Sequence, residues 1–224
     1  MGKLFVIEGN DGSGKHTQLE KLKEHLRKDN ISFKDISFPN YDSSSSSLVK
    51  MYLGGEFGTN PNDINAYIAS TFYAADRYAT YKKDLEDYYN HDGIIIADRY
   101  TTANMIHQAG KIKNKEERKK FLDWLYDFEF NLYKIPKPNE VFFLNMPPEK
   151  SLKLMENRKN KITNEEKKDI HERNENHLEE TYEAAKEVAK EYNWYVINCV
   201  KDNMIRTVED IHQEIYKEIL KHIK

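Results

Sequence analysis

The sequence predicts an α/β protein, a five-stranded and largely parallel sheet with helices on both faces. Five short runs carry this reading: "KLFVIE" (3–8), "FKDISF" (33–38), "GIIIAD" (93–98), "EVFFLNM" (140–146) and "WYVINC" (194–199). They are rich in β-branched and aromatic residues and are bounded by turn signals, as strands are. Between them the apolar spacing lengthens to the helical period, and strands alternating with helices build parallel sheets. No internal repeat or Pro-rich linker divides the 224 residues, so one domain spanning 1–224 is expected. Ligands of such a sheet gather at the C-terminal ends of its strands.

Composition narrows the partners. Lys plus Arg (35) nearly balances Asp plus Glu (38), which gives no basic surface for nucleic acid or an anionic membrane. Cys199 is the single cysteine, so a disulfide framework is excluded and a reducing compartment is expected. The opening apolar run is too short and too polar-flanked for a signal peptide, and no stretch approaches membrane-spanning length. These features lead us to expect a soluble cytoplasmic protein.

The first strand runs into "GNDGSGKHT" (9–17), close to the phosphate-binding pattern G-x-x-x-x-G-K-[ST]. Gly9, Gly12 and Gly14 let the backbone turn its N–H groups inward past Asn10, Asp11 and Ser13, and the next helix points its positive end at the same place. Lys15 supplies a cation for the β- and γ-phosphates. His16 stands where a hydroxyl ordinarily holds Mg²⁺, and Thr17 is rotated about 100° away around the helix. The metal must then rest on phosphate oxygens, water and carboxylates such as Asp11 and Asp98. Leu19, Leu22 and Leu26 give that helix its apolar stripe.

After the second strand, "YDSSSSS" (41–47) reads as a flexible loop. The helix "DINAYIASTFYAADRYATY" (63–81) is expected to bury Ile64, Ile68, Phe72, Ala75 and Ala79. Tyr73 and Arg77, four apart on a different face, project together. They either stack on and hydrogen-bond a base or form a cation–π pair at the surface. The third strand ends in Asp98, Arg99 and Tyr100, an acid able to hold Mg²⁺ through water beside a guanidinium able to fork onto a phosphate. The charged stretch 156–177 is either a solvated helix pair or a lid whose cations close over phosphates. Met204, Val208, Ile211, Ile215 and Ile219 form the stripe of the last helix.

Taken together, "FVIEGNDGSGKHTQ", "FPNY", "YLGGEFG", "FYAADRY", "ADRYTTAN", "HQAG", "LNMPPEKSL" and "DIHERN" resemble the thymidylate kinases over nearly the whole chain. The resemblance implies a three-layer sandwich of the P-loop NTPase type, with a short lid at about 156–170. It implies transfer of the γ-phosphate of ATP to thymidine monophosphate, with Mg²⁺, by a homodimer paired through helices beside the sheet. ATP would lie on residues 9–17, with Lys15, Asp98, Arg99 and Arg158 as the catalytic set. With Gly12 rather than arginine in the loop, the resemblance moves the catalytic arginine to Arg158, supported by Lys159 and Lys161. Asp11 would bond the acceptor's 3′-hydroxyl and touch the metal shell. Phe38, Pro39 and Tyr41 would wall the monophosphate pocket, Tyr73 would stack on thymine and Arg77 would donate to a base carbonyl. Asn104, His107 and Gln108 would lie along the base and sugar, and Arg99 would grip the acceptor phosphate. Asp169 and Glu172 match the acidic pair after the lid, with Glu172 joining Asp11 and Asp98 around the metal. Asn40 and Ala103 depart from the family's usual basic residue and serine. Two rivals remain at this stage: a deoxynucleoside kinase, and a nucleotide-binding protein without turnover.

Overall fold

The computed structural model of the chain describes residues 1–155 and 175–223. In chain order its elements are β1 (Lys3–Glu8), α1 (Lys15–Lys28), β2 (Lys34–Ser37), α2 (Ser47–Gly54), α3 (Ala66–Thr80), α4 (Glu86–Asn90) and β3 (Ile94–Asp98). Then come α5 (Thr101–His107), α6 (Lys115–Tyr126), β4 (Glu140–Asn145), α7 (Pro148–Met155), α8 (Glu175–Glu191), β5 (Tyr195–Asn198), a two-stranded β6 (Val200–Lys201) and β7 (Met204–Ile205), and α9 (Val208–Ile223). Every strand expected from the sequence forms.

The five long strands make one parallel sheet in the order β2-β3-β1-β4-β5. β1, β3 and β4 are continuous apolar runs because both of their faces are covered. Alternation splits β1 between two cores. Leu4 and Val6 pack with Met105, Ile106, Phe121, Leu125 and Val188 from α5, α6 and α8. Phe5 and Ile7 pack with Leu19, Leu22 and Leu26 of α1 and Ile211, Ile215 and Ile219 of α9. β2 closes one edge and is mostly exposed. The register places Ile7 of β1 and Ser37 of β2 opposite Asp98 of β3, so three strands end at one level.

Three sequence expectations change here. On α3 the buried face is Ala66, Ala69, Ser70, Ala74, Asp76, Arg77 and Thr80, while Ile68 is 47% exposed and Ala75 and Ala79 point outward. Of the expected stripe only Ile64 and Phe72 turn inward, half-buried against Val49, Tyr52, Leu53 and Ala69, and the rest of the inward face carries polar groups that other elements satisfy. On the last helix the buried stripe begins at Ile211, since Met204 lies in β7 and both it and Val208 are exposed. The serine run is an ordered turn. Ser43 caps residues Ser44–Ser46, Ser45 Oγ donates to Asp76 at 2.6 Å, and Ser46 is buried. Short hydroxyls satisfy neighbouring backbone and carboxylate groups, which the composition of the run alone does not reveal.

Candidate active site

β1 delivers the glycine-rich loop at its C-terminal end. Gly12 has φ 77°, and a Cβ there would lie 2.5 Å from the Ser151 carbonyl oxygen, so the loop passes α7 too closely for any side chain. Gly14, at φ 91°, caps α1 in the left-handed region. Lys15 folds back over the loop, and its buried Nζ donates to the carbonyls of Gly9 (2.6 Å) and Asn10 (2.9 Å). The Asn10 amide and the Ser13 hydroxyl are buried without hydrogen-bond partners among the described residues. Buried polar atoms are rarely left so, and here they surround a helix N-terminus that attracts anions. His16 and Thr17 are exposed on the first turn of α1.

β3 brings the second charged group to the same level. Arg99 takes the left-handed backbone conformation (φ 65°), uncommon for a non-glycine residue and found disproportionately at functional sites. Its Nη2 donates to Asp11 Oδ1 at 2.7 Å and its Nη1 donates to His107 Nε2, which places the ring's own proton on Nδ1. Burial opposes the charge on Arg99, but the carboxylates of Asp11, Glu8 and Asp98 outweigh it and hold the guanidinium more firmly protonated than usual. Asp98 is buried. Its backbone oxygen accepts from Phe38 N–H, and its Oδ1 has no hydrogen-bond partner among the described residues. An unpartnered carboxylate oxygen beside a phosphate loop suits a hard, oxygen-seeking cation such as Mg²⁺.

Beneath both lies Glu8, a residue the sequence reading missed. Its fully buried carboxylate accepts from Gly9 N–H (3.0 Å) and Thr102 Oγ1 (2.7 Å), which joins the loop to α5. Burial pushes it above the ordinary glutamate range, while Arg99 and Lys15 pull the other way. Its signal in the sequence was a charged residue ending a strand that is otherwise apolar.

α3 lines the other side. Arg77 is 1% exposed and lies fork to fork with the equally buried Glu129, which excludes a surface cation–π pair. Tyr73, half-buried, meets Tyr52 edge to face at 6.3 Å. Phe38 is buried with its ring 5.8 Å from that of Tyr100, and Pro39 and Tyr41 follow it at the rim. The Phe38–Pro39 bond is cis. Asp76, also unforeseen, anchors this segment by accepting from Asn40 N–H at 2.8 Å and from Ser45. The Asn40 amide donates to Thr80 Oγ1. Asn104 donates to the Ser70 carbonyl across the α3–α5 contact, and Gln108 is buried with its Oε1 unpartnered among the described residues. The structure thus assembles Asp11, Lys15, Asp98, Arg99 and His107 at one rim, with Tyr73 and Arg77 on α3, Asn104 on α5 and Gln108 at the end of α5 beside it. Arg158, Lys159, Lys161, Asp169 and Glu172 lie outside the described residues.

Comparison with known proteins points to one family. The thymidylate kinase family profile matches residues 7–215. A thymidylate kinase of Plasmodium falciparum is 27% identical over 220 residues, covering 98% of this chain and 90% of the relative. A probable thymidylate kinase of Methanosphaera stadtmanae is 30% identical over 221 residues, covering 98% of each. Among solved structures, thymidylate kinase from Candida albicans superposes with a TM-score of 0.73 at 21% identity, covering 99% of this chain and 92% of that one.

Proposed function

Because the chain belongs to the thymidylate kinase family, we propose that it transfers the γ-phosphate of ATP to thymidine monophosphate, yielding ADP and thymidine diphosphate. The observation that carries this reading is Arg99, held in a left-handed turn at the end of β3 by Asp11 of the phosphate loop itself. A guanidinium so placed can grip an anionic acceptor directly beside the donor's phosphates. An oxygen of the acceptor's phosphate attacks the γ-phosphorus, and the bond to the β-phosphate oxygen breaks in line. That oxygen is already ionised, so the site needs alignment and charge neutralisation more than a base.

In this reading residues Gly9 to Thr17 cradle ATP, and Lys15 exchanges its two loop carbonyls for phosphate oxygens. Phe38, Pro39 and Tyr41 bound the acceptor's phosphate, Tyr73 stacks on the base and Arg77 donates to its carbonyl. Asn104, His107 and Gln108 line base and sugar. Asp98 would hold Mg²⁺, with Asp11 nearby and Glu172 completing the shell, and the ion would neutralise charge on the phosphates. Arg158, with Lys159 and Lys161, closes from the lid. The working unit is a single domain per chain, paired as a homodimer through α3, and it acts in the cytoplasm. No helix among the described residues is long and apolar enough to cross a membrane, and burial pushes the Cys199 thiol up to about 12, which keeps it unreactive.

Steady-state turnover with ATP, Mg²⁺ and a panel of acceptors tests the proposal. Thymidine monophosphate is expected to be the best acceptor. Faster phosphorylation of thymidine or of a purine monophosphate defeats it.

A further inference from the structure

Glu129 lies in the helical turn Asp127–Leu132 that extends α6, and its side chain is completely buried. Its two oxygens meet three donors. Oε2 accepts from Arg77 Nε at 2.7 Å and from Thr101 Oγ1 at 2.8 Å, and Oε1 accepts from Arg77 Nη2 at 2.6 Å. Arg77 Nη1 donates in turn to the backbone oxygen of Tyr100 at 3.3 Å. One carboxylate therefore ties α3 to the first residue of α5, two positions after Arg99.

Stability is a weak reason for this arrangement. A buried ion pair forfeits so much solvation that apolar residues of equal volume serve a core as well or better. Orientation does account for it. A guanidinium has five N–H groups in one rigid plane. The carboxylate fork takes Nε–H and one hydrogen of Nη2, and Tyr100 takes one hydrogen of Nη1, so the plane cannot swing. One N–H on each terminal nitrogen has no partner among the described residues.

We propose that Glu129 is a positioning residue for base selection: it fixes the plane of Arg77 so that the remaining N–H groups meet a carbonyl acceptor on the pyrimidine and reject an amino group there. The proposal rests on the reading of Arg77 as the residue that faces the base. Through Thr101 the same carboxylate holds the base-reading arginine and the Arg99 turn in fixed relation, so the contact made at the base is transmitted to the alignment of the phosphate.

The test compares kcat/KM for thymidine monophosphate (4-oxo) and deoxycytidine monophosphate (4-amino) in the full chain and its variants. Glu129→Asp keeps the charge but shortens the fork, and Glu129→Gln keeps the shape but loses the charge. Each is expected to reduce the preference for the 4-oxo acceptor about tenfold, the size of one charge-assisted hydrogen bond. Thr101→Val, which removes only the third donor, is expected to move the preference in the same direction by less, and it decides the matter if both glutamate variants fail to fold. The double variant Arg77→Met with Glu129→Leu replaces the pair by apolar groups and is expected to fold and lose the preference. If the double variant loses it while the Glu129 and Thr101 variants keep it and show only a lower Tm, Glu129 is structural and the proposal falls, with the reading of Arg77 intact. If the double variant keeps the preference, Arg77 does not read the base, and both fall.

Discussion

Glu8 carries a carboxylate in a fully buried place beneath the phosphate loop, where burial lifts its pKa above the ordinary 4.5. The folded chain therefore holds a proton at pH values where the unfolded chain has released it. By linkage, this group's contribution to stability declines as pH rises from about 4.5 through the raised folded value. Glu8→Gln should flatten that part of the Tm–pH curve, and an unaltered slope would place the titration elsewhere. At the mouth of the same loop His16 is exposed, so His16→Ser should leave turnover intact and its Mg²⁺ dependence unchanged or tightened. Abolished turnover would mean that the imidazole itself contacts metal or phosphate. Gly12 has no room for a side chain beside Ser151, so the loop as folded takes no arginine at that position, and the proposal assigns that role to Arg158. Arg158→Ala is accordingly expected to lower kcat by about two to four orders of magnitude with little change in KM for the monophosphate. Lys159→Ala and Lys161→Ala should each cost less, and an unchanged kcat in Arg158→Ala removes that residue from the mechanism.

α3 presents two unlike faces. The inward face holds Asp76 and Arg77, and the outward one shows Tyr67, Ile68 and Tyr78 at 37 to 47% exposure. An outward apolar stripe suits an isologous contact with a second copy. Ile68→Asp should convert the protein to a monomer, read by light scattering as a mass near 26.5 kDa instead of twice that. A wild-type mass of 26.5 kDa at micromolar concentration would end the dimer proposal. The same helix shows what a sequence reveals. The central strands β1, β3 and β4 were legible because their residues are apolar on both faces, and the loop because its glycines and lysine fall within seven residues. The direction in which α3 faces was not, since its buried side is rich in polar groups whose partners lie far away in the chain. Arg77 and Glu129 are 52 residues apart, and no local spacing announces a pair made only by tertiary packing. Asp76 was hidden in the same way, because its partners sit on the turn that holds Asn40 and Ser45.

In the molecule as a whole, the strand that carries the donor loop is the first to be made and stands at the centre of the sheet. Its neighbours are remote. Lys3 pairs with Ile94 on one side and Phe5 with Glu140 on the other. During synthesis β1 must therefore wait for most of the chain before both edges are paired, and such long-range closures slow folding. Until residue 140 emerges, the run Leu4–Ile7 is an apolar strand with an open edge, the kind of segment that recruits other chains. A fragment that ends before Glu140 should be aggregation-prone where the full chain is not, and light scattering of refolded fragments can measure the difference. A soluble, well-folded fragment of that length would show that the strand is sheltered in some other way. The order of the strands thus makes the nascent chain, rather than the finished protein, the form most exposed to misassembly and most in need of a chaperone.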